Sequence, residues 1–499
     1  MNRYDRRDWK RLGCALFLLP FLACTEATHD PAPASPSPSG TPAPAVEPEL
    51  AITLTATQQG SIFSEANLVR VFAVGAARPR FFLSDEAGVS GGVPERTLRI
   101  GDIPVEERAC INVGALGLKE GEIVSGGSAL TEIVAGQEAH VTIRINRELS
   151  RARTVPNFGV PVDIAANESR IYLLSEADDG TGNTNARLSI VQGETFTTND
   201  ILLPNDEALP NPSRIAVTPG GANETHRVFV GTEDGLLITL EVTSAPSEST
   251  FVARNVLDVG APITTLAVSP DGGMLLAGDR GLKAVHVFTI EGREGIKPLR
   301  IFTPRAATAV PVQATFNPTG RWAGVVYDSG RISIVQTGAD GDGIFWEVDT
   351  IEVSRASGIA VSRDGKYAYV TSSTANGGEI SLIEIAPSDP ENRLRIVGKT
   401  TLASFTPSLV RIAPGGGTLY VLSPGTSQVL LLSAIPDADG QLRLLGTHTL
   451  QNSGGGLVTS ARALTITPDG KKVYALGQTA DGLLELSALG AAAPNDACK

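Results

Sequence analysis

Residues 356–386 read ASGIAVSRDGKYAYVTSSTANGGEISLIEIA. Three short apolar runs, 359–362, 367–371 and 380–385, are separated by an Arg363-Asp364-Gly365 turn and by a polar Asn-Gly-Gly loop. Short runs rich in Val, Ile and Tyr, bounded by Gly, Asn and Asp, predict antiparallel strands. One such meander cannot bury both of its faces. It predicts copies of itself, and the chain holds them.

Setting the turn residue as position zero gives Glu168, Pro219, Pro270, Pro318, Arg363, Pro414 and Pro468, at spacings of 51, 51, 48, 45, 51 and 54 residues. Two positions earlier stand Ala166, Val217, Val268, Phe316, Val361, Ile412 and Ile466, and four earlier Ile164, Ile215, Leu266, Ala314, Ile359, Val410 and Leu464. Gly221, Gly272, Gly320, Gly365, Gly416 and Gly470 follow two after zero. Each copy offers a second and a third apolar run, and six offer a more polar fourth, such as 251–259, 299–303 and 394–402. Four strands per unit, the first apolar and innermost, predict the blade of a β-propeller. The fold class is therefore all-β, a seven-bladed β-propeller over 148–489. The last copy has only three strands before a tail at 490–499, and counting back from Glu168 supplies the fourth at 148–156, ELSRARTVP. The expected ring closes without a covalent link, one strand from the start and three from the end, which removes open edges.

The phrases LAVSPDGGMLLAG (266–278), IAVSRDGKYAYVTS (359–372) and LTITPDGKKVYALG (464–477) resemble the YVTN or lactonase-like class of seven-bladed propellers. The resemblance covers about 340 residues and rests on turn and core positions, so it implies the fold more firmly than an activity. WD-repeat propellers are a poorer likeness, since no Trp-Asp dipeptide is present.

Upstream lies a different composition. Five basic residues (Arg3, Arg6, Arg7, Lys10, Arg11) precede the apolar run 12–23, which is too short to span a bilayer and reads as a secretory signal over 1–23. Phe21-Leu22-Ala23-Cys24 resembles a bacterial lipobox, which implies diacylation of Cys24 and a membrane anchor. The residues at 21 and 22 depart from the usual pattern, and ordinary cleavage is the alternative. Residues 24–48 form a tether; 30–48 alone hold seven prolines. A polyproline-like segment of that length reaches on the order of 70 Å. Residues 49–147 carry six short runs with partial alternation and predict a small β-sandwich. Its second half resembles the Ig-like or prealbumin-like domains of bacterial surface lipoproteins. This domain is expected on the propeller face from which strand 148–156 enters. These resemblances imply an exported protein of the bacterial cell envelope, expected as an outer-membrane lipoprotein facing either the periplasm or the exterior.

The formal net charge of −13 falls to about −16 once the signal is removed. With no Lys/Arg cluster beyond the N-terminus, nucleic acid is excluded as a partner. The five histidines are scattered without HxH or HExxH spacing, so neither a metal nor a cofactor is expected. Asp340-Gly-Asp342-Gly and Asp437-Ala-Asp439-Gly are fragments of a calcium loop that read better as hairpin turns.

One column breaks the repeat. Three before zero stand Ala165, Ala216, Ala267, Thr315, Ala360, Arg411 and Thr465; blades crowd there, and Arg411 alone is large. A guanidinium at that place must reach the channel or meet a carboxylate. Near the starts of the same strands lie Asp163, Arg214, Gln313 and Arg462. Two readings stay open: a cationic funnel for an anionic ligand, or a structural Asp–Arg network. With Cys24 acylated, Cys110 and Cys498 remain, either disulfide-bonded in an oxidising compartment or as free thiols. The expected function is a non-enzymatic binding scaffold for an envelope protein or an anionic small molecule. The resemblance implies an alternative, a lactonase-like hydrolase; a purely structural part in a surface assembly is a third.

Overall fold

The computed structural model describes residues 50–56, 65–75, 81–91, 93–94, 98–104, 108–135, 137–145, 150–178, 184–220, 225–244, 249–291, 295–303, 309–337, 345–386, 388–389, 393–451, 456–458, 461–477 and 482–487. The signal, the tether, Cys24, the Asp340 loop and the tail with Cys498 lie outside them.

The stretch 356–386 forms three strands, Ala356–Val361, Tyr367–Thr374 and Gly377–Ile385, and Leu394–Ala403 adds a fourth. Its first turn is built by side chains. Ser362 Oγ donates to Asp364 Oδ1 at 2.6 Å and accepts the Tyr367 N–H at 2.9 Å. Gly365 then adopts a φ of 71°, a region open mainly to glycine. Gly272, Gly320, Gly416 and Gly470 repeat this at 69–79°, so the periodic glycines are a backbone requirement.

Four-stranded meanders start likewise at Val160–Ala166, Pro212–Val217, Ile263–Val268, Pro311–Phe316 and Leu409–Ile412. In the last sheet Ala463–Ile466, Lys472–Leu476 and Gly482–Ser487 are followed laterally by Ser150–Thr154, paired antiparallel with Thr154 opposite Gly482. The first strands of consecutive sheets adjoin one another, and that of the last sheet adjoins that of the first. Apolar residues from neighbouring sheets share cores. Val228, Val230 and Ile238 pack with Tyr172, Leu174 and Leu188, for example. Sheets arranged in this way form a β-propeller.

Residues 50–145 build two further sheets. Arg99–Ile100, Leu50–Ala56 and Ala139–Ile145 form one, the last two strands running parallel. Glu122–Val134, Arg108–Lys119, Leu68–Gly75, Phe81–Ser90 and Val93–Pro94 form the other. The second sheet is buried on both faces. Val69, Val71, Ala73, Ile111 and Val113 point into the sandwich core, whereas Phe72, Val74, Leu116 and Leu118 join Leu422, Leu431, Leu445, Val458 and Val473 of the sixth and seventh propeller sheets.

The sandwich therefore sits against the outer strand of the sixth propeller sheet, Leu442–Thr449, and not on the face we expected from its covalent connection. Thr447 pairs with Glu122, making one nine-stranded sheet. Arg70 donates to Glu86 at 2.7 Å and to the Leu444 and Leu445 carbonyls, and Arg443 meets Glu86 at 3.4 Å. Burial of apolar area, not the strand's point of entry, decided the docking.

His448 lies in this junction. Its Nδ1–H donates to the Ile123 carbonyl at 3.4 Å, and Nε2 is buried with no partner among the described residues. Burial pushes its pKa below 6.5, against the smaller opposing effects of the Ile123 hydrogen bond and the Glu122 charge. The unfolded chain therefore takes up this proton at a higher pH than the folded one. Stability is full above about pH 6.5 and declines as pH falls toward the lowered folded value. We expect denaturant unfolding to show less stability at pH 5.5 than at 7.5, and His448→Asn to flatten that difference. An unchanged pH profile in the variant would exclude His448 as its source.

Candidate functional site

A cavity of about 320 Å³ lies on the propeller axis, at the small end of the range for ligand sites. All seven residues three before zero line it: Ala165, Ala216, Ala267, Thr315, Ala360, Arg411 and Thr465. The register explains this. The inner strands present alternate residues to the axis, so one column meets there and must be small. The remaining wall comes from the strand ends, including Ser269, Asn317 and the zero-position prolines Pro219, Pro270, Pro318, Pro414 and Pro468.

Arg411 is the one ionisable side chain among the described residues lining this cavity. Its Nη1 donates to the Val410 carbonyl at a long 3.4 Å, and no carboxylate among the described residues forms an ion pair with it. Burial lowers its pKa, and the charge of the Asp163 carboxylate works against that. Asp163 answers in kind. Burial raises its pKa, while Arg214, the Ile164 and Ile215 amides and Arg411 hold it down.

The other polar residues at the strand starts do not line the cavity. Asp163 accepts the Ile164 N–H at 2.9 Å and, from the next sheet, the Ile215 N–H at 3.1 Å. Gln313 Oε1 accepts the Ile359 N–H of the next sheet at 2.8 Å. Thr265 Oγ1 does the same for Ala314 at 2.9 Å. Position minus five of one sheet thus bonds position minus four of the next, three times over. A second row runs beside it: Ser213 Oγ donates to the Ile263 carbonyl at 2.7 Å, Ser357 Oγ to Pro407 at 3.0 Å, and Thr264 Oγ1 to Pro311. Arg214 turns back to the Ser213 carbonyl at 2.6 Å, and Arg462 is exposed.

Sequence reading placed Asp163 and Gln313 near the right strands but missed their task. The hydroxyl row could have been found by aligning position minus six, where Ser213, Thr264, Ser357 and Ser408 recur. Asp437 caps its own turn, accepting the Asp439 and Gln441 amides at 3.0 and 2.8 Å. No cluster of three metal-ligating side chains occurs among the described residues.

No family model matches the chain, and no curated protein matches its sequence. Solved structures do. The WD40 domain of Toxoplasma gondii coronin superposes with a TM-score of 0.51 at 12% identity, over 70% of this chain and 87% of that one. The chain is a β-propeller by that likeness. A protein from Lactobacillus plantarum gives 0.46 at 16% identity, covering 78% and 98%. A candidate 6-phosphogluconolactonase from Bacteroides uniformis gives 0.44 at 16%, covering 76% and 95%. At these identities the likeness is one of fold.

Two substitutions separate staple from ligand group. Thr265→Val keeps the shape but leaves the buried Ala314 N–H without an acceptor, and we expect a loss of about 1–3 kcal/mol in unfolding free energy. Arg411→Met removes a desolvated charge that makes one long hydrogen bond, and we expect a change within about 1 kcal/mol of zero. Equal losses in the two variants would make Arg411 a structural residue.

Proposed function

We propose that the protein is an exported envelope lipoprotein whose propeller is a non-enzymatic binding module, taking a small anionic ligand on Arg411 in the axial cavity. The observation that carries this reading is a guanidinium facing a neutral cavity with most of its five N–H donors unspent. Guanidinium matches a carboxylate or phosphate bidentately, and in a site withdrawn from bulk water such a pair is strong. Thr315 and Thr465 present hydroxyls on the same wall, whereas Ser269 and Asn317 spend their polar atoms within and between turns.

The architecture we infer is a seven-bladed ring closed by Ser150–Thr154, supported by the order of sheets and by the pairing with Gly482–Ser487. The sandwich, of the Ig-like or prealbumin-like kind, serves as a docked base joined to the Pro-rich tether and the acylated Cys24. A hydrolase would need acid and base groups gathered in the cavity. The nearest carboxylate, Asp163, is occupied by two backbone amides, which favours binding over lactone hydrolysis.

Calorimetric titration of the mature protein with citrate, succinate and gluconate should find at least one that binds, with Arg411→Met weakening it at least tenfold and leaving the melting temperature unchanged. Hydrolysis of gluconolactone that disappears in Arg411→Met would replace the binding reading with the enzymatic one.

Cys110, on Arg108–Lys119, is disulfide-bonded. Cys14 leaves with the signal and Cys24 carries lipid in this reading, so we assign Cys498 as the partner, fastening the tail to the sandwich. Peptide mapping without reductant should yield an acylated N-terminal peptide at Cys24 and a linked Cys110–Cys498 peptide. Cys24→Ser should release the protein from the membrane fraction. A soluble wild-type protein, or alkylated thiols at 110 and 498, would overturn the respective assignment.

A further inference from the structure

The axial cavity offers an anion one charge and few other side-chain partners. Arg411 is the one ionisable side chain among the described residues that line it. The neutral polar side chains of the wall are mostly engaged. Ser269 Oγ donates to Asp271 and accepts the Met274 N–H at 2.9 Å. Asn317 donates to the Ser362 and Arg363 carbonyls, both at 3.1 Å, and its Oδ1 accepts the Trp322 N–H at 3.2 Å. Thr315 Oγ1 donates to the Phe316 carbonyl at 3.3 Å. Thr465 carries the one hydroxyl of the wall with no such bond among the described residues.

The remaining lining side chains are apolar. Beside the column of small residues three before zero stand Val217, Val268, Ile412 and Ile466, two before zero and half-buried, and the five zero-position prolines complete that end. Three residues of strand span roughly 10 Å, so the level of the Arg411 backbone and the level of the prolines lie about that far apart. A guanidinium at one level and apolar walls leading from it match a molecule with one charged end and an apolar body.

Charge narrows the class further. Arg411 compensates one anionic charge, and Asp163 adds a negative charge that acts on it. A second carboxylate, or the second charge of a phosphate, would leave water with no cation beside it, which is costly. Resting on the reading of Arg411 as the anchor of an anion, we infer that the axial cavity takes a monocarboxylate with an aliphatic body, its carboxylate on Arg411 and its chain along the alanine, valine, isoleucine and proline side chains. Each methylene removed from water there tightens binding up to about fourfold, whereas hydroxyls on the chain find few side chains to meet.

The probes are acetate, butyrate and hexanoate, with gluconate and adipate as acids of equal carbon number to hexanoate that add hydroxyls or a second carboxylate. In calorimetric titration of the mature protein at neutral pH and fixed ionic strength, we expect affinity to rise from acetate to hexanoate. Hexanoate should bind at least tenfold more tightly than gluconate or adipate, and Arg411→Met should abolish its binding. Val268→Thr, nearly equal in shape, should weaken hexanoate about two- to fourfold and leave acetate unchanged. Gluconate or adipate binding through Arg411 as tightly as hexanoate, or a flat series from acetate to hexanoate, would overturn the monocarboxylate assignment and spare the anion reading. Equal losses for acetate and hexanoate in Val268→Thr would overturn the placement of the chain. Silence from every acid, or hexanoate binding undiminished in Arg411→Met, would overturn the assignment and the anion reading together.

Discussion

A sheet with two apolar faces has to be covered on both of them, and in this molecule almost everything follows from that. Tyr172, Leu174 and Leu188 on one sheet are covered by Val228, Val230 and Ile238 on the next, and the same holds for successive sheets. A linear stack would leave two faces open, whereas a ring leaves none. The strand 150–154 lets the first and last parts of the chain share one sheet, which is what the closed ring we propose requires. Area alone does not fix the angle between sheets. The paired rows at positions minus five and minus six do so, since each ties a buried backbone group of one sheet to a side chain of its neighbour. Such bonds are worth about 0.5–1.5 kcal/mol net, but a buried amide left without one costs more. They act chiefly against wrong arrangements.

The same demand explains the sandwich. Its five-stranded sheet has apolar residues of both parities, and no single core can take both. The odd set of Val69, Val71 and Ala73 fills the sandwich, while the even set of Phe72 and Val74 continues into a core shared with Leu422, Leu431 and Val473. That core also takes in Ala152 of the closing strand. The docked domain therefore buttresses the sixth and seventh sheets beside the strand 150–154. The buried His448, whose pKa burial lowers, makes this junction sensitive to acid.

Periodic features were legible because they answer to local geometry. A glycine at a φ near 71° and an alternating apolar strand recur wherever the turn recurs, so aligning the turns revealed them. The strand Phe81–Ser90 was not legible, since SDEAG interrupts its apolar run and most of its residues are half-buried. Arg108–Lys119 and Glu122–Val134 seemed shorter than they are because of their internal glycines. Gly114 lies under the Phe72 ring and Gly127 against the Arg144 carbonyl, where a Cβ would come within 2.2 and 2.1 Å. Those glycines mark close approach, not strand ends. The docking partner was illegible for another reason: which apolar face meets which is a property of surfaces, not of spacing.

The site was half legible, and the reason bears on what Arg411 does. Asp163 and Gln313 seemed to be ligand groups because polar residues stood out against an apolar column. In a ring of sheets, however, polar residues at strand starts are also the natural fasteners between neighbours, and these two are spent that way. Arg411 has no comparable employment. It stands where six other repeats keep Ala or Thr, meets one carbonyl at 3.4 Å, and carries a charge that burial disfavours. A fastener would have removed that cost through a short bond to a carboxylate, and Asp163, whose charge favours the Arg411 cation, forms none with it. A guanidinium held at a disadvantage beside a neutral cavity gains most from an anion that arrives from outside. The same residue types thus have two uses: polar groups that end their hydrogen bonds on the neighbouring sheet, and, as we propose, one whose donors are left for a ligand.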